Sequence, residues 1–238
     1  MKIALIGYGK MGHAIEEIAV QRGHEIVLKV GIENIEDNTI ENIRKADVAI
    51  EFTGPEIAFD NVMRCLEAGV PVVSGSTGWL ERFNEATKYC NDHNGAMIYA
   101  SNFSVGVNIF FAINKRLAEM MASHSEYNAS LIEIHHTQKK DAPSGTAISL
   151  AEDILKLAPQ KNKWVNQPTA KANELEILSE RIDPAPGTHI VTWASDIDNI
   201  EIKHTAHNRK GFATGAVLAA EFLNGKKGIY NMSDVLGL

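Results

Sequence analysis

The chain has 238 residues, 45% of them apolar and 22% charged, which is enough to build one large domain or two modest ones. A net charge of −7 with no basic block excludes the concentrated positive face that nucleic acid requires. No apolar run approaches the roughly 20 residues of a bilayer span, the opening MKIALIGYGKMG lacks a signal-peptide layout, and Cys65 and Cys90 alone support neither a disulfide scaffold nor a cysteine-based zinc site. The expected setting is the cytoplasm, with no membrane partner.

Ile3-Ala4-Leu5-Ile6 reads as a buried strand ending at Gly7. Met11, Ile15, Ile18 and Ala19 then recur at helical spacing through residues 11–22, and Gly23 closes the segment. Strands follow at 25–30 (EIVLKV), 47–52 (DVAIEF), 70–74 and 96–100, with helical patterns at 55–68 and 79–93. Strands alternating with helices imply a parallel, doubly wound sheet. A long helix is expected at 107–122. Beyond it, 129–135, 176–181, 188–195 and 199–207 alternate in sidedness, with one helix at about 146–158 among them. That pattern predicts a mixed or antiparallel sheet with one buried face. Residues 212–223, rich in Ala and Leu, are helical again. Residues 104–209 therefore read as an α+β domain inserted into a first domain made of 1–103 and 210–238.

Between the first strand and helix lies Gly7-Tyr8-Gly9-Lys10-Met11-Gly12, a G-x-G-x-x-G turn. Its glycines suit a tight turn, close approach to a pyrophosphate and close helix–strand packing, with the helix N-terminus favouring the anion. The fold class is thus α/β: an N-terminal Rossmann domain plus an inserted α+β domain with an open mixed sheet. Three further loops fall at carboxyl ends of strands, where such sheets bind ligands: Phe52-Thr53-Gly54, Gly75-Ser76-Thr77-Gly78 and Ala100-Ser101-Asn102-Phe103. The acid expected after the second strand is replaced by Gly31, with Glu33 nearest, and Lys10 and Lys29 stand close to where a 2′-phosphate would lie. The coenzyme is NADH or NADPH.

HHTQKKDAPSGTA at 135–147 gathers His135, His136 and Lys139 before Pro143-Ser144-Gly145-Thr146, which opens the helix. Ser144 or Thr146 suits the N-cap, and the amides around Gly145 suit an anion. Three readings of the stretch compete: a solvated loop, a metal site, and an acid–base site beside an anion cradle. The metal reading is the weakest, because adjacent histidines on a strand face opposite ways. His204 and His207, three apart, do the same if they share a strand, and no cysteine or clustered carboxylate completes a shell. His189 and His204 read as structural, Trp79, Trp164 and Trp193 as core or interface, and Cys65 as packing.

This stretch resembles the active-site motif of the dihydrodipicolinate reductase family. GYGKMG, EFTGPE at 51–56, GSTG at 75–78, SNFSVGVN at 101–108 and NRKGFATGA at 208–216 match family landmarks in order. The resemblance implies a homotetramer formed through the open sheet and NAD(P)H-dependent reduction of a cyclic imine dicarboxylate in diaminopimelate and lysine synthesis. It implies His135 as general acid assisted by Lys139, and substrate contacts from His136, Ser144, Gly145 and Thr146. Coenzyme contacts would come from Gly7–Gly12, Gly75–Thr77 and Ala100–Phe103, with Lys29, Phe52 and Thr53 beside them, and no metal. It further implies domain closure about hinges near Phe103 and Arg209, the latter serving equally well as a plain salt bridge. Rival readings are a related imine or amino-acid dehydrogenase and a non-catalytic coenzyme sensor.

Overall fold

The structure is a computed structural model that describes residues 1–208 and 210–238; Arg209, named above as a hinge, lies outside the described residues. The chain runs β1 (Lys2–Ile6), α1 (Lys10–Gln21), β2 (Glu25–Val30), α2 (Ile40–Ile43), β3 (Val48–Glu51), α3 (Pro55–Glu67), β4 (Val72–Ser74), α4 (Phe83–Asp92) and β5 (Ala96–Tyr99). It continues through α5 (Val105–Met121), β6 (Asn128–His135), α6 (Gly145–Leu157), β7 (Lys163–Val165), β8 (Glu174–Arg181), β9 (Thr188–Ala194) and β10 (Asn199–Thr205). It closes with α7 (Lys210–Leu223), β11 (Gly228–Tyr230) and α8 (Met232–Leu236). Two compact units result, one of Met1–Val105 with Lys210–Leu238 and one of Gly106–Arg209.

The first unit holds a six-stranded parallel sheet in the order β11-β5-β4-β3-β1-β2. Period-two alternation divides its residues between two cores. Ile3 and Leu5 of β1 join Ile15 of α1 and Ala216 and Val217 of α7 on one side. Ala4 and Ile6 join Val62 of α3 and Ala86 of α4 on the other. Each such Leu or Ile stabilises the fold by about 1.5–3 kcal/mol relative to exposure. Strand order reverses between β1 and β3, which makes the carboxyl ends of these two strands the ligand-binding crevice of a doubly wound sheet.

Local chemistry explains where elements depart from the sequence expectation. The strand expected from 70 begins at Val72, and Pro71 before it has no N–H to give the ladder. The helix expected at 79–93 is a 3-10 turn at Leu80–Arg82 followed by α4, with Trp79 buried at the junction. A 3-10 segment, Ile32–Asp37, and the single turn α2, capped by Thr39, occupy the stretch between β2 and β3. β7 and β11, three residues each, are too short to carry a period.

The second unit is a five-stranded sheet in the order β10-β9-β6-β8-β7. β6 pairs parallel with β8 and antiparallel with β9, so the sheet is mixed. On one face Leu131, Ile177, Val191 and Trp193 pack with Leu150 and Ile154 of α6 and Phe110 of α5. On the other, Ile132, Ile134, Leu178 and Ile190 are half-buried and lie outside that core.

Candidate functional site

In the first unit, the turn after β1 is fixed by steric necessity. Gly7 has φ +97°, and a Cβ there would fall 2.0 Å from the Phe52 carbonyl oxygen. A Cβ on Gly12 would fall 2.6 Å from the Gly7 carbonyl oxygen, so α1 can start close against the turn. Gly9 is different: nothing lies within 4 Å of its Cβ position. It is the N-cap of α1 and contributes no side-chain cap, so the first amides of the helix are left for an anion. The turn borders a cavity of about 730 Å³ that Gly31, Glu33, Asn34, Phe52 and Thr53 also line. These features fit the pyrophosphate and adenosine side of a dinucleotide.

Beneath the crevice, the fully buried Glu51 at the end of β3 ties two loops together. Its carboxylate accepts hydrogen bonds from the Ser74 hydroxyl at 2.6 Å, the Ser76 hydroxyl at 2.7 Å, the Thr53 amide at 2.9 Å and the Thr53 hydroxyl. Gly75 is needed beside it, since a Cβ there would lie 2.2 Å from the Phe52 ring.

The other residues expected at the coenzyme divide. Tyr8 is half-buried at the cavity; Lys10, Thr77 and Ser101 are exposed. Asn102 accepts from the Ser104 amide at 2.9 Å. Met11 and Ala100 pack against the core. The Phe103 ring is buried in that core against Phe52, with centroids 5.7 Å apart, which leaves the loop backbone rather than the ring to face a ligand. Ser76 is buried with its hydroxyl committed to Glu51. Lys29 stands partly exposed beside Tyr8 with an ionic partner of its own. Its ammonium lies 2.5 Å from Glu16, which also accepts from the Tyr8 hydroxyl, so its charge is already answered within the protein. The Lys29 and Tyr8 hydrogen bonds hold the Glu16 carboxyl below the usual carboxylate range.

In the second unit, β6 delivers His135 buried, while the next residue, His136, is half-buried. Burial pulls the His135 imidazole down to about 4, with Glu133 opposing and His189, Lys139 and Arg181 reinforcing the shift. Lys139 pairs with Asp141 at 2.7 Å in the turn that follows. Ser144 is the N-cap of α6; it is buried, its hydroxyl accepts from the Ala147 amide at 3.2 Å, and the same oxygen lies 3.2 Å from His189 Nε2. Gly145 is exposed with nothing within 4 Å of its Cβ position, and Thr146 beside it is half-buried. Proton chemistry, a cation and open helix amides therefore share one loop.

Three residues that sequence reading did not place here complete the cluster. Glu133, two residues before His135, shares its face of β6 and is fully buried. His189 stands opposite Glu133 on β9, and Arg181 stands opposite His135 on β8. Glu133 was legible from the two-residue period; the other two depend on strand pairing. The donor atoms that the fold groups are not those of adjacent histidines: side-chain ligand atoms of Glu133, His135 and His189 lie within 4.8 Å of one another, a buried carboxylate included. Arg181, 3.2 Å from the same carboxylate, already serves it as a cation. His204 lies on β10 with its ring 5.9 Å from Phe110, and His207 falls beyond the strand, exposed.

Two family models cover the chain: dihydrodipicolinate reductase, N-terminus, over residues 1–103, and dihydrodipicolinate reductase, C-terminus, over 106–236. The chain belongs to the dihydrodipicolinate reductase family. A 4-hydroxy-tetrahydrodipicolinate reductase of Christiangramia forsetii is 49% identical over 99% of this chain and 98% of its own length. One from Neisseria gonorrhoeae is 34% identical over 94% and 84% respectively. Among solved structures, a dipicolinate-bound dihydrodipicolinate reductase from Paenisporosarcina sp. TG-14 has the same fold, with a TM-score of 0.77, 23% identity and 97% of each chain covered. As a member of the dihydrodipicolinate reductase family, the chain is an oxidoreductase with a Rossmann-type nucleotide-binding unit.

Proposed function

We propose that the chain converts 4-hydroxy-tetrahydrodipicolinate to tetrahydrodipicolinate with NAD(P)H, the 4-hydroxyl leaving as water to give the conjugated imine dihydrodipicolinate that takes the hydride, a step of diaminopimelate and lysine synthesis in the cytoplasm. The observation that carries this reading is the loop of the second unit, where His135, Lys139 and the open start of α6 lie together in a chain 49% identical to a named reductase. When bound, the coenzyme supplies a hydride. The residues that would hold it are Gly7–Gly12, Thr53, Gly75–Thr77 and Ala100–Asn102. His135 delivers the proton that balances hydride addition to a conjugated imine. Lys139 offers positive charge to the developing anion and to a substrate carboxylate, and the Gly145 and Thr146 amides cradle a carboxylate. His136 contributes a further polar contact. Ser144 acts indirectly, because its hydroxyl is occupied as the N-cap.

The coenzyme is NADH in preference to NADPH, because Lys29 is paired to Glu16 and Glu33 lines the cavity. Glu16→Gln should free the ammonium and tighten NADPH binding by up to about fivefold, the scale of an exposed charge pair. Fluorescence titration with each coenzyme measures this, and an unchanged NADPH affinity would show that Lys29 is remote from the 2′-phosphate. The open face bearing Ile132, Ile134, Leu178 and Ile190 assembles the chain into a homotetramer.

Enzymatically generated substrate, incubated with the purified chain and each coenzyme in turn, should give coenzyme oxidation that depends on the dicarboxylate. Coenzyme binding without oxidation would favour a sensor, and oxidation only with another imine would favour a related dehydrogenase.

A further inference from the structure

The carboxylate of Glu133 sits where the three working parts of the second unit's loop converge. Both of its oxygens are 3.1 Å from the Ser144 amide, which anchors the start of α6. Arg181 Nη2 is 3.2 Å from Oε1 and donates to the Asp141 carbonyl at 2.6 Å, while its Nε donates to the Lys139 carbonyl at 3.3 Å. The same guanidinium thus holds the turn that presents Lys139. Oε2 lies 3.4 Å from His135 Nδ1 and 3.7 Å from His189 Nε2.

A fully buried carboxylate is costly unless its partners repay the lost hydration. Burial alone would raise this carboxyl; His189, Ser144, Ser179 and Arg181 together hold it well below the usual carboxylate range. Meanwhile His135 Nδ1 is buried and makes no hydrogen bond among the described residues, and the Glu133 carboxylate faces it at 3.4 Å.

We infer that Glu133 is a positioning residue: one buried carboxylate sets the His135 ring, the Lys139 turn and the α6 amide cradle in a single arrangement. This rests on the roles proposed above for those three groups. An acceptor beside Nδ1 selects the tautomer with the proton on Nδ1, which leaves Nε2 as the atom that takes up and passes on the transferable proton. Gly187 keeps that edge clear, since a Cβ there would come within 3.2 Å of Nε2.

Among the described residues, the charged and titratable groups that act on His135 include Glu133 on its own strand, His189 on β9, Arg181 on β8 and Lys139 in the turn, where Asp141 pairs with Lys139. Among them Glu133 raises the His135 pKa, and the three cationic or basic neighbours Lys139, His189 and Arg181 lower it. Nitrogen and carbon NMR of the labelled full-length chain, with His135 assigned through its loss in His135→Gln, reads both tautomer and titration. In the unsubstituted protein Nδ1 should carry the proton. In Glu133→Gln the titration midpoint of His135 should move lower, kcat should fall by about 10²-fold, the cost of a misplaced reacting group, and NADH affinity should stay within twofold. Glu133→Asp should recover part of kcat.

An Nε2–H tautomer in the unsubstituted protein overturns the proposal, even if Glu133→Gln fails to fold. So does a Glu133→Gln enzyme with normal kcat and an unmoved midpoint. Absence of turnover in the unsubstituted protein, with the expected tautomer, counts instead against the reaction proposed above.

Discussion

His135→Gln should slow turnover by about 10²–10⁴-fold, the usual contribution of a positioned proton donor, while NADH binds as before. The imidazole is buried and pulled down to about 4, so near neutral pH the free protein holds it uncharged. Two arriving carboxylates place negative charge beside it and favour the protonated form. The rate constant kcat/KM should therefore rise as pH falls towards about 4 in the unsubstituted enzyme, and the variant should lose that slope. Stability supplies a second readout. His135 titrates near 6.5 in the unfolded chain and near 4 in the folded one. Between these values the unfolded state binds more protons, and stability falls as pH falls through the window. His135→Gln should flatten that part of the melting-temperature profile. A variant with full activity, or one with an unaltered pH profile, would remove His135 from the chemistry.

Gly7→Ala should abolish measurable coenzyme binding and destabilise the first unit by about 2–5 kcal/mol, the sum of overpacking and left-handed backbone strain. The added methyl would sit 2.0 Å from the Phe52 carbonyl oxygen and 2.4 Å from its carbon, both parts of a strand end that cannot swing aside. Gly9→Ala provides the contrast, because its Cβ position is open and its φ of −98° is ordinary. Gly9→Ala should melt near the parent and lose affinity only through collision with the ligand. Thermal unfolding together with NADH titration separates the two effects. Equal destabilisation of both variants would contradict the assignment of distinct jobs to the two glycines.

The first unit was largely legible because fully buried parallel strands leave continuous apolar runs, such as IALI and VAI, between amphipathic helices. β11 was not legible, because Gly228–Tyr230 is too short for any period and is a strand only through its pairing with β5. In the second unit, alternation along β6 announced the sheet, while the parallel β6–β8 partnership came from long-range register. The candidate site divides in the same manner. His135, Lys139 and the α6 start are consecutive in sequence and could be read together. Arg181 and His189 reach the same carboxylate from separate strands, and a single sequence carries no signal of that register. The pairing of Lys29 with Glu16 was out of reach for a related reason: the two residues lie on different elements, β2 and α1.

The core that joins Ile3 and Leu5 to Ala216, Val217 and Leu223 has a bearing on biosynthesis. A ribosome makes those first strands early and the helix that covers them only after all of Gly106–Arg209 has been translated. On that face the nascent sheet has only α1 to cover it until more than a hundred further residues have been made. The second unit has no such dependence, because its own core is complete within one continuous segment. The second unit can therefore complete its core on the ribosome before the first, and the earliest strands are the last to gain their full cover.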